Sequence, residues 1–213
     1  MAKRIFITAT NTDIGKTHAT KLLLKAYAQM GYRVGVFKPI ETGVVSLPED
    51  GQELLELIQK LNPECRALHV NDIVPIQFKL PAAPYIANNA KDIDKEVLTQ
   101  ALDKLELLCD IILIEGAGGL YVPVDTNTMI IDLISYFNAK ALLITHCKLG
   151  CINDTLLSCK ALESQDISYE WALNCREQDS SFTTVSKPYF DDTFKNIYSI
   201  NDDIFELAEK LIN

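Results

Sequence analysis

The sequence predicts an α/β protein: a mostly parallel central sheet flanked by helices in a three-layer arrangement, as a single domain over 1–213. Three observations carry that prediction. Short apolar runs alternate with longer stretches of helical periodicity. The run Asp-Ile-Ile-Leu-Ile-Glu at 110–115 is nearly all apolar, as a strand buried on both faces should be. The chain has 213 residues, 48% hydrophobic and 23% charged, which suits one core and is too apolar for disorder.

The elements follow in order. A strand is predicted over 4–10, then a helix over 16–30 with Leu22, Leu23, Ala26 and Tyr27 at helical spacing and Gly31 at its end. A second strand covers 33–39 and a second helix 52–60, bounded by Asn62-Pro63. Pro75, Pro81 and Pro84 mark a long irregular connection, a site-loop candidate. The helix predicted over 94–108 carries Val97, Leu98, Ala101, Leu102, Leu105 and Leu108 on one face. Strands at 110–115, 139–145 and 168–174, helices at 153–164 and 202–212, and a weaker strand at 196–200 complete the reading.

Composition excludes some functions. Acids outnumber bases 29 to 20, for a net charge of −9, which argues against a partner held through nucleic-acid phosphates. No run approaches the roughly 18–20 apolar residues of a membrane span. The basic start, Lys3-Arg4, precedes an apolar stretch too short for a signal peptide, so a cytoplasmic location is expected. The six cysteines form no C-x-x-C pair and the three histidines have no zinc-ligand spacing; the cysteines are expected to be reduced and structural.

The strongest chemical signal is Thr10-Asn11-Thr12-Asp13-Ile14-Gly15-Lys16-Thr17, placed directly between a strand and a helix. That context suits a phosphate loop and a P-loop NTPase-like fold. Backbone amides of Thr12, Asp13, Ile14 and Gly15 and the helix start would face a polyphosphate, Lys16 would supply a point charge, and Thr17 would ligate magnesium. Lys38, in Lys-Pro-Ile-Glu-Thr-Gly, falls at a strand C-terminus, where open sheets bind ligands. Glu115-Gly116-Ala117-Gly118-Gly119 ends the most apolar strand: its carboxylate suits a metal, and its glycines suit close approach of a nucleotide.

These motifs together resemble dethiobiotin synthetases, which carboxylate a diamine at the expense of ATP. The resemblance rests on Ala9 to Thr17, Lys38 to Gly43, Glu115 to Gly119, Leu149-Gly150-Cys151-Ile152-Asn153, the segment Pro81-Ala82-Ala83-Pro84-Tyr85 and Trp171-Ala172-Leu173-Asn174, in order over 4–174. It implies 7,8-diaminopelargonic acid, CO2 and ATP as substrates, with Mg2+ as cofactor. Lys16 and Lys38 would be catalytic, and Thr12, Lys38 and Thr42 would hold the diamine or its carbamate. Thr17, Asp50 and Glu115 would hold the metal, with Glu53 the rival to Asp50. Glu115, Gly116, Ala117, Gly118 and Asn174 would join the phosphate loop around the nucleotide. Gly150, Cys151, Ile152 and Asn153 would bind the substrate carboxylate of a partner subunit, which implies a homodimer.

Three departures stand out. Ala9 replaces a family glycine, and Tyr85 replaces the usual histidine. The family's helix and Pro-rich strand after Asn174 look shortened or missing, which makes the chain short and implies weak discrimination among nucleobases. Two other classes share the loop: small-molecule kinases, which usually carry an arginine-rich lid, and partitioning-type switch ATPases, which usually carry a lysine early in the loop. Neither feature is present here.

Overall fold

The computed structural model describes residues 2–213. Its strands are β1 (Lys3–Ala9), β2 (Val34–Phe37), β3 (Ile40–Thr42), β4 (Ile76–Phe78), β5 (Ile111–Gly119), β6 (Lys140–His146), β7 (Tyr169–Asn174) and β8 (Tyr198–Ser199). Its main helices are α1 (Lys16–Gln29), α2 (Glu49–Leu61), α5 (Lys95–Glu106), α6 (Ile130–Tyr136), α7 (Cys151–Ser164) and α10 (Ile204–Ile212). Shorter helices are α3 (Val70–Ile73), α4 (Pro84–Ala87), α8 (Phe182–Val185) and α9 (Lys187–Thr193).

Six strands form one sheet in the order β2-β5-β1-β6-β7-β8, and every pairing in it is parallel. Helix α1 carries the chain from β1 towards the β2 edge, whereas α6 and α7 carry it the other way. Right-handed crossovers therefore put α1 opposite α6 and α7, giving the expected three layers. The last helix, α10, joins the α1 layer, where Tyr27 Oη donates to the Ala208 carbonyl at 2.9 Å. Phe6, Tyr27, Phe37 and Phe137 are fully buried between the layers. Among the described residues no helix is long and apolar enough to cross a membrane.

Several boundaries differ from expectation, each for a local reason. The strand expected over 33–39 stops at Phe37, and the chain resumes as β3, which pairs with β4 in a separate two-stranded sheet. Lys38 N–H bonds the Ile73 carbonyl at 2.8 Å, so it leaves the main ladder where Pro39 has no donor to offer. The irregular proline connection contains β4 and α4. Strand β5 does not end at Glu115 but runs through the glycines: Ile7 faces Glu115 and Ala9 faces Gly119, so β5 carries two extra residues opposite β1. Such a bulge re-aims the strand's end, here over the phosphate loop. Between β7 and β8 the chain holds two short helices, α8 and α9.

The expectation of six reduced cysteines is corrected. Cys147, after β6, and Cys175, after β7, form a disulfide with Cα atoms 4.9 Å apart, because parallel neighbours bring their ends together. The other four are buried thiols. Burial pushes Cys65 up to about 11 and Cys109 up to about 12, so neither is reactive near neutral pH. Thiol titration in denaturant, without reductant, should therefore find four of the six cysteines reactive; six would refute the bridge.

Candidate active site

The phosphate loop leaves β1 between its neighbours β5 and β6, the point where successive connections diverge and a crevice opens. Gly15 precedes α1 with φ +103°, and a Cβ there would lie 2.1 Å from Asn174 Nδ2. Only glycine satisfies both constraints. The same Asn174 amide donates to the Ile14 carbonyl at 2.7 Å, holding the loop from behind. No side chain caps α1, so its first amides stay available for an anion. Ala9 is extended within β1 and has no positive φ, so glycine's freedom is not needed there. The tight glycine is its partner Gly119, whose Cβ would come within 3.1 Å of the Thr10 carbonyl.

A charge cluster lies under the loop. Glu115 is fully buried and accepts from Thr17 Oγ1 at 2.9 Å, Thr20 Oγ1 at 2.6 Å and Lys38 Nζ at 2.6 Å. Lys38 also pairs with Asp50 at 3.1 Å. Burial alone would lower the Lys38 ammonium's pKa, but Glu115, Asp50 and Glu41 outweigh it and hold it above the ordinary lysine range. Lys16, buried with its Nζ 3.5 Å from the Asn11 carbonyl, is shifted the other way. Burial lowers it, Lys38 adds to the effect, and Glu115 only partly opposes it. The two lysines thus face one site with opposite shifts.

The donor set can be tested against the implied magnesium. Among the described residues no three His, Cys, Asp or Glu side chains converge into a metal cage. Thr17, Glu115 and Asp50, linked through Lys38, instead supply one hydroxyl and two carboxylates. That set fits Mg2+, which keeps several waters and takes few protein ligands beside substrate phosphates. Glu53 turns away to Lys21 on α1 at 2.7 Å, so Asp50 is the acid that faces the site.

These groups line a cavity of about 910 Å³. The loop contributes Thr12, Asp13, Gly15, Lys16 and Thr17; the bulged end of β5 contributes Glu115, Gly116, Ala117 and Gly118. Lys38, Thr42 and Asp50 line it as well, with Pro81 to Pro84. Gly116 is required by packing, since a Cβ would meet Phe6 at 2.8 Å. Ile14 and Asn174 support the loop without lining the cavity. Tyr85 does not line it, and its backbone N–H donates to the Pro123 carbonyl at 3.1 Å. Gly150, Cys151, Ile152 and Asn153 also lie outside it, at the start of α7, where the Cys151 side chain is buried.

Two contributors to the charge cluster and its supports escaped sequence reasoning. Thr20 joins the Lys16 carbonyl to Glu115 at 2.9 and 2.6 Å; the only signal was its place one helical turn after Lys16. Glu41, mostly buried, accepts from Asp50 and Gly51 amides at 3.2 and 2.9 Å. It thereby caps α2, whose own N-cap is Pro48, and fixes the backbone of Asp50. It occupies a variable position of its motif, which hid it.

Comparison with known proteins agrees with this geometry. A family model described as an AAA domain matches residues 3–195. The ATP-dependent dethiobiotin synthetase BioD of Sulfurovum sp. is 45% identical over 207 residues, covering 97% of this chain and 99% of the relative. The chain belongs to the ATP-dependent dethiobiotin synthetase family. The BioD of Wolinella succinogenes is 36% identical, with 99% of each chain covered. In both dethiobiotin synthetase comparisons nearly the whole of each chain is covered. Among solved structures, the MinD cell division protein of Aquifex aeolicus (TM-score 0.52, 17% identity, 98% of this chain and 87% of that one) shares the fold. So does a plasmid partition protein of Borrelia burgdorferi (TM-score 0.56, 12% identity, 99% and 96%). At such identities these two speak only for the fold.

Proposed function

We propose that this chain is a cytoplasmic dethiobiotin synthetase, acting as one domain over 1–213, that uses Mg-ATP to carboxylate 7,8-diaminopelargonic acid. The observation that carries the reading is two buried lysines, Lys16 and Lys38, facing one cavity beside a phosphate loop. One substrate amine adds to CO2, loses a proton and becomes a carbamate. A carbamate oxygen then attacks the γ-phosphorus of ATP, ADP leaves, and a carbamic-phosphoric anhydride results. The second amine attacks the carbonyl carbon and expels phosphate, closing the ureido ring of dethiobiotin.

The central difficulty is bringing an anionic carbamate to an anionic phosphate. Lys38, kept charged by Glu115 and Asp50, is suited to the carbamate and the transferred phosphoryl group, and Lys16 to the β- and γ-phosphates. Loop amides from Thr12 to Thr17 and the glycine backbone of 116–118 would hold the nucleotide, and Thr12 and Thr42 would orient the diamine. Holding both amines beside the activated carbon makes ring closure effectively unimolecular. Magnesium, held by Thr17, Asp50 and Glu115, would supply charge neutralisation of the phosphates.

The Gly150 to Asn153 backbone would bind the substrate carboxylate of a second copy. Leu149, just before α7 and 84% exposed, and Leu157, midway along it and 60% exposed, are apolar surface suited to such a homodimer. Incubation with ATP, magnesium, isotopic bicarbonate and the diamine should give diamine-dependent phosphate release and labelled ureido product, from a species sedimenting at twice the 23.8 kDa chain mass. Phosphate release without label would point to an ATPase, and ADP with a phosphorylated diamine and no free phosphate to a kinase; no reaction with any diamine would defeat the proposal.

A further inference from the structure

Two residues past Asn174, Arg176 reaches back over the phosphate loop. Its Nη2 donates to the Asp13 carbonyl, and the side chain lines the same cavity as Lys16 and Thr17. Its base is fixed. Arg176 N–H donates to Asp179 Oδ2 at 2.9 Å, and Asp179 N–H returns to the Arg176 carbonyl at 2.9 Å. Asp179 is buried, and the preceding Cys175 is tied to Cys147.

Charge makes this placement informative. The cavity has three cations on its lining: Lys38 is paired with Glu115 and Asp50, and Lys16 lies 3.5 Å from the Asn11 carbonyl of the loop it serves. Among the described residues no carboxylate pairs with Arg176. Asn174, the polar side chain that closes the same strand, already spends its amide on Ile14. What this strand end presents to the cavity is therefore the Arg176 guanidinium, with one donor on the Asp13 carbonyl and no carboxylate partner, rather than the Asn174 amide, which does not line it. A planar cation of this kind grips phosphate oxygens or stacks on any nucleobase, without distinguishing among bases.

We infer that Arg176 is a nucleotide-binding residue, a base-indifferent cation that holds nucleoside di- and triphosphates from the open side of the phosphate loop. It acts on affinity and not on the chemical step, because ADP and ATP share the part of the ligand it faces. The inference rests on the ATP-dependent reading above, so its test measures binding directly. Titration calorimetry with Mg-ADP, Mg-ATP and Mg-GTP should show Arg176→Ala weakening all three by a similar factor of about tenfold, the scale of one partly exposed charge-assisted contact. Saturating kcat should stay within about twofold, since binding lost equally from ground and transition states leaves kcat alone.

Two further variants separate charge from loop support. Arg176→Gln keeps a donor for the Asp13 carbonyl, and Arg176→Lys keeps the charge. Recovery by Lys but not by Gln, with a shallower salt dependence of Kd in Gln, is the expected result. Recovery by Gln, a loss confined to ATP, or an unchanged Kd in Arg176→Ala would overturn the inference. Absence of nucleotide binding by the unmodified chain would instead sink the ATP-dependent reading itself.

Discussion

Lys16→Ala should reduce kcat by about 10³-fold, the scale seen when one preorganised donor to developing charge is removed. That corresponds to about 4 kcal/mol of barrier. The fold should survive, and the reason is the direction of the Lys16 shift. Its folded pKa lies below its unfolded value because burial disfavours the ammonium. Between the two values the unfolded chain binds more protons, so stability rises with pH across that window; below it the fold bears the full cost of a buried charge. Removing the lysine at neutral pH therefore removes a cost, and Tm should stay level or rise. The same shift predicts that kcat/KM for ATP falls on the alkaline side earlier than an ordinary lysine would dictate, as Lys16 loses its proton. Thermal melts beside a pH-rate profile check both. A variant with lost activity and a collapsed Tm would mean that Lys16 is structural.

Much of this site was legible in the sequence, because its chemistry is local. A Gly-Lys-Thr after a strand fixes where the anion site lies, and the Lys38 and Glu115 motifs each end a strand, so a parallel sheet must bring their ends to one edge. The residues that escaped notice act across long separations. Thr20 meets Glu115 only because α1 lies along β5, and Glu41 finds the amides of α2 only because β3 leaves the main sheet. The Cys147–Cys175 bridge was hidden in the same way: its partners are 28 residues apart, with no spacing motif. Their proximity comes from the register that pairs His146 with Asn174. Strand boundaries erred at β2, which ends at Phe37 short of the expected Pro39, and at β5, which continues through its glycines as a bulge.

Lys38→Met should fail in two separable ways, and the separation is the real test of its role. Glu115 has no exposure, and without Lys38 its carboxylate keeps only the hydroxyls of Thr17 and Thr20. Removing one partner of a buried pair costs about 3–5 kcal/mol. For a chain of this size that lowers Tm by about 10 °C. The sign is set by the raised Lys38 pKa: its stabilisation is fully present below the unfolded lysine value and is lost as pH rises from there through the folded one, so the loss in the variant should be constant across neutral pH. The double variant Lys38→Met/Glu115→Gln removes both charges, and its melting temperature should recover most of the loss. Its activity should not, because the carbamate and the transferred phosphoryl group would still lack their cation and magnesium would lack the Glu115 carboxylate. Nucleotide binding, which leans on the loop and Lys16, should persist in the double variant at a level far above its turnover. If stability returned and kcat/KM for the diamine returned with it, Lys38 would be no more than the counterion of Glu115, and the assignment of the carbamate to it would be wrong.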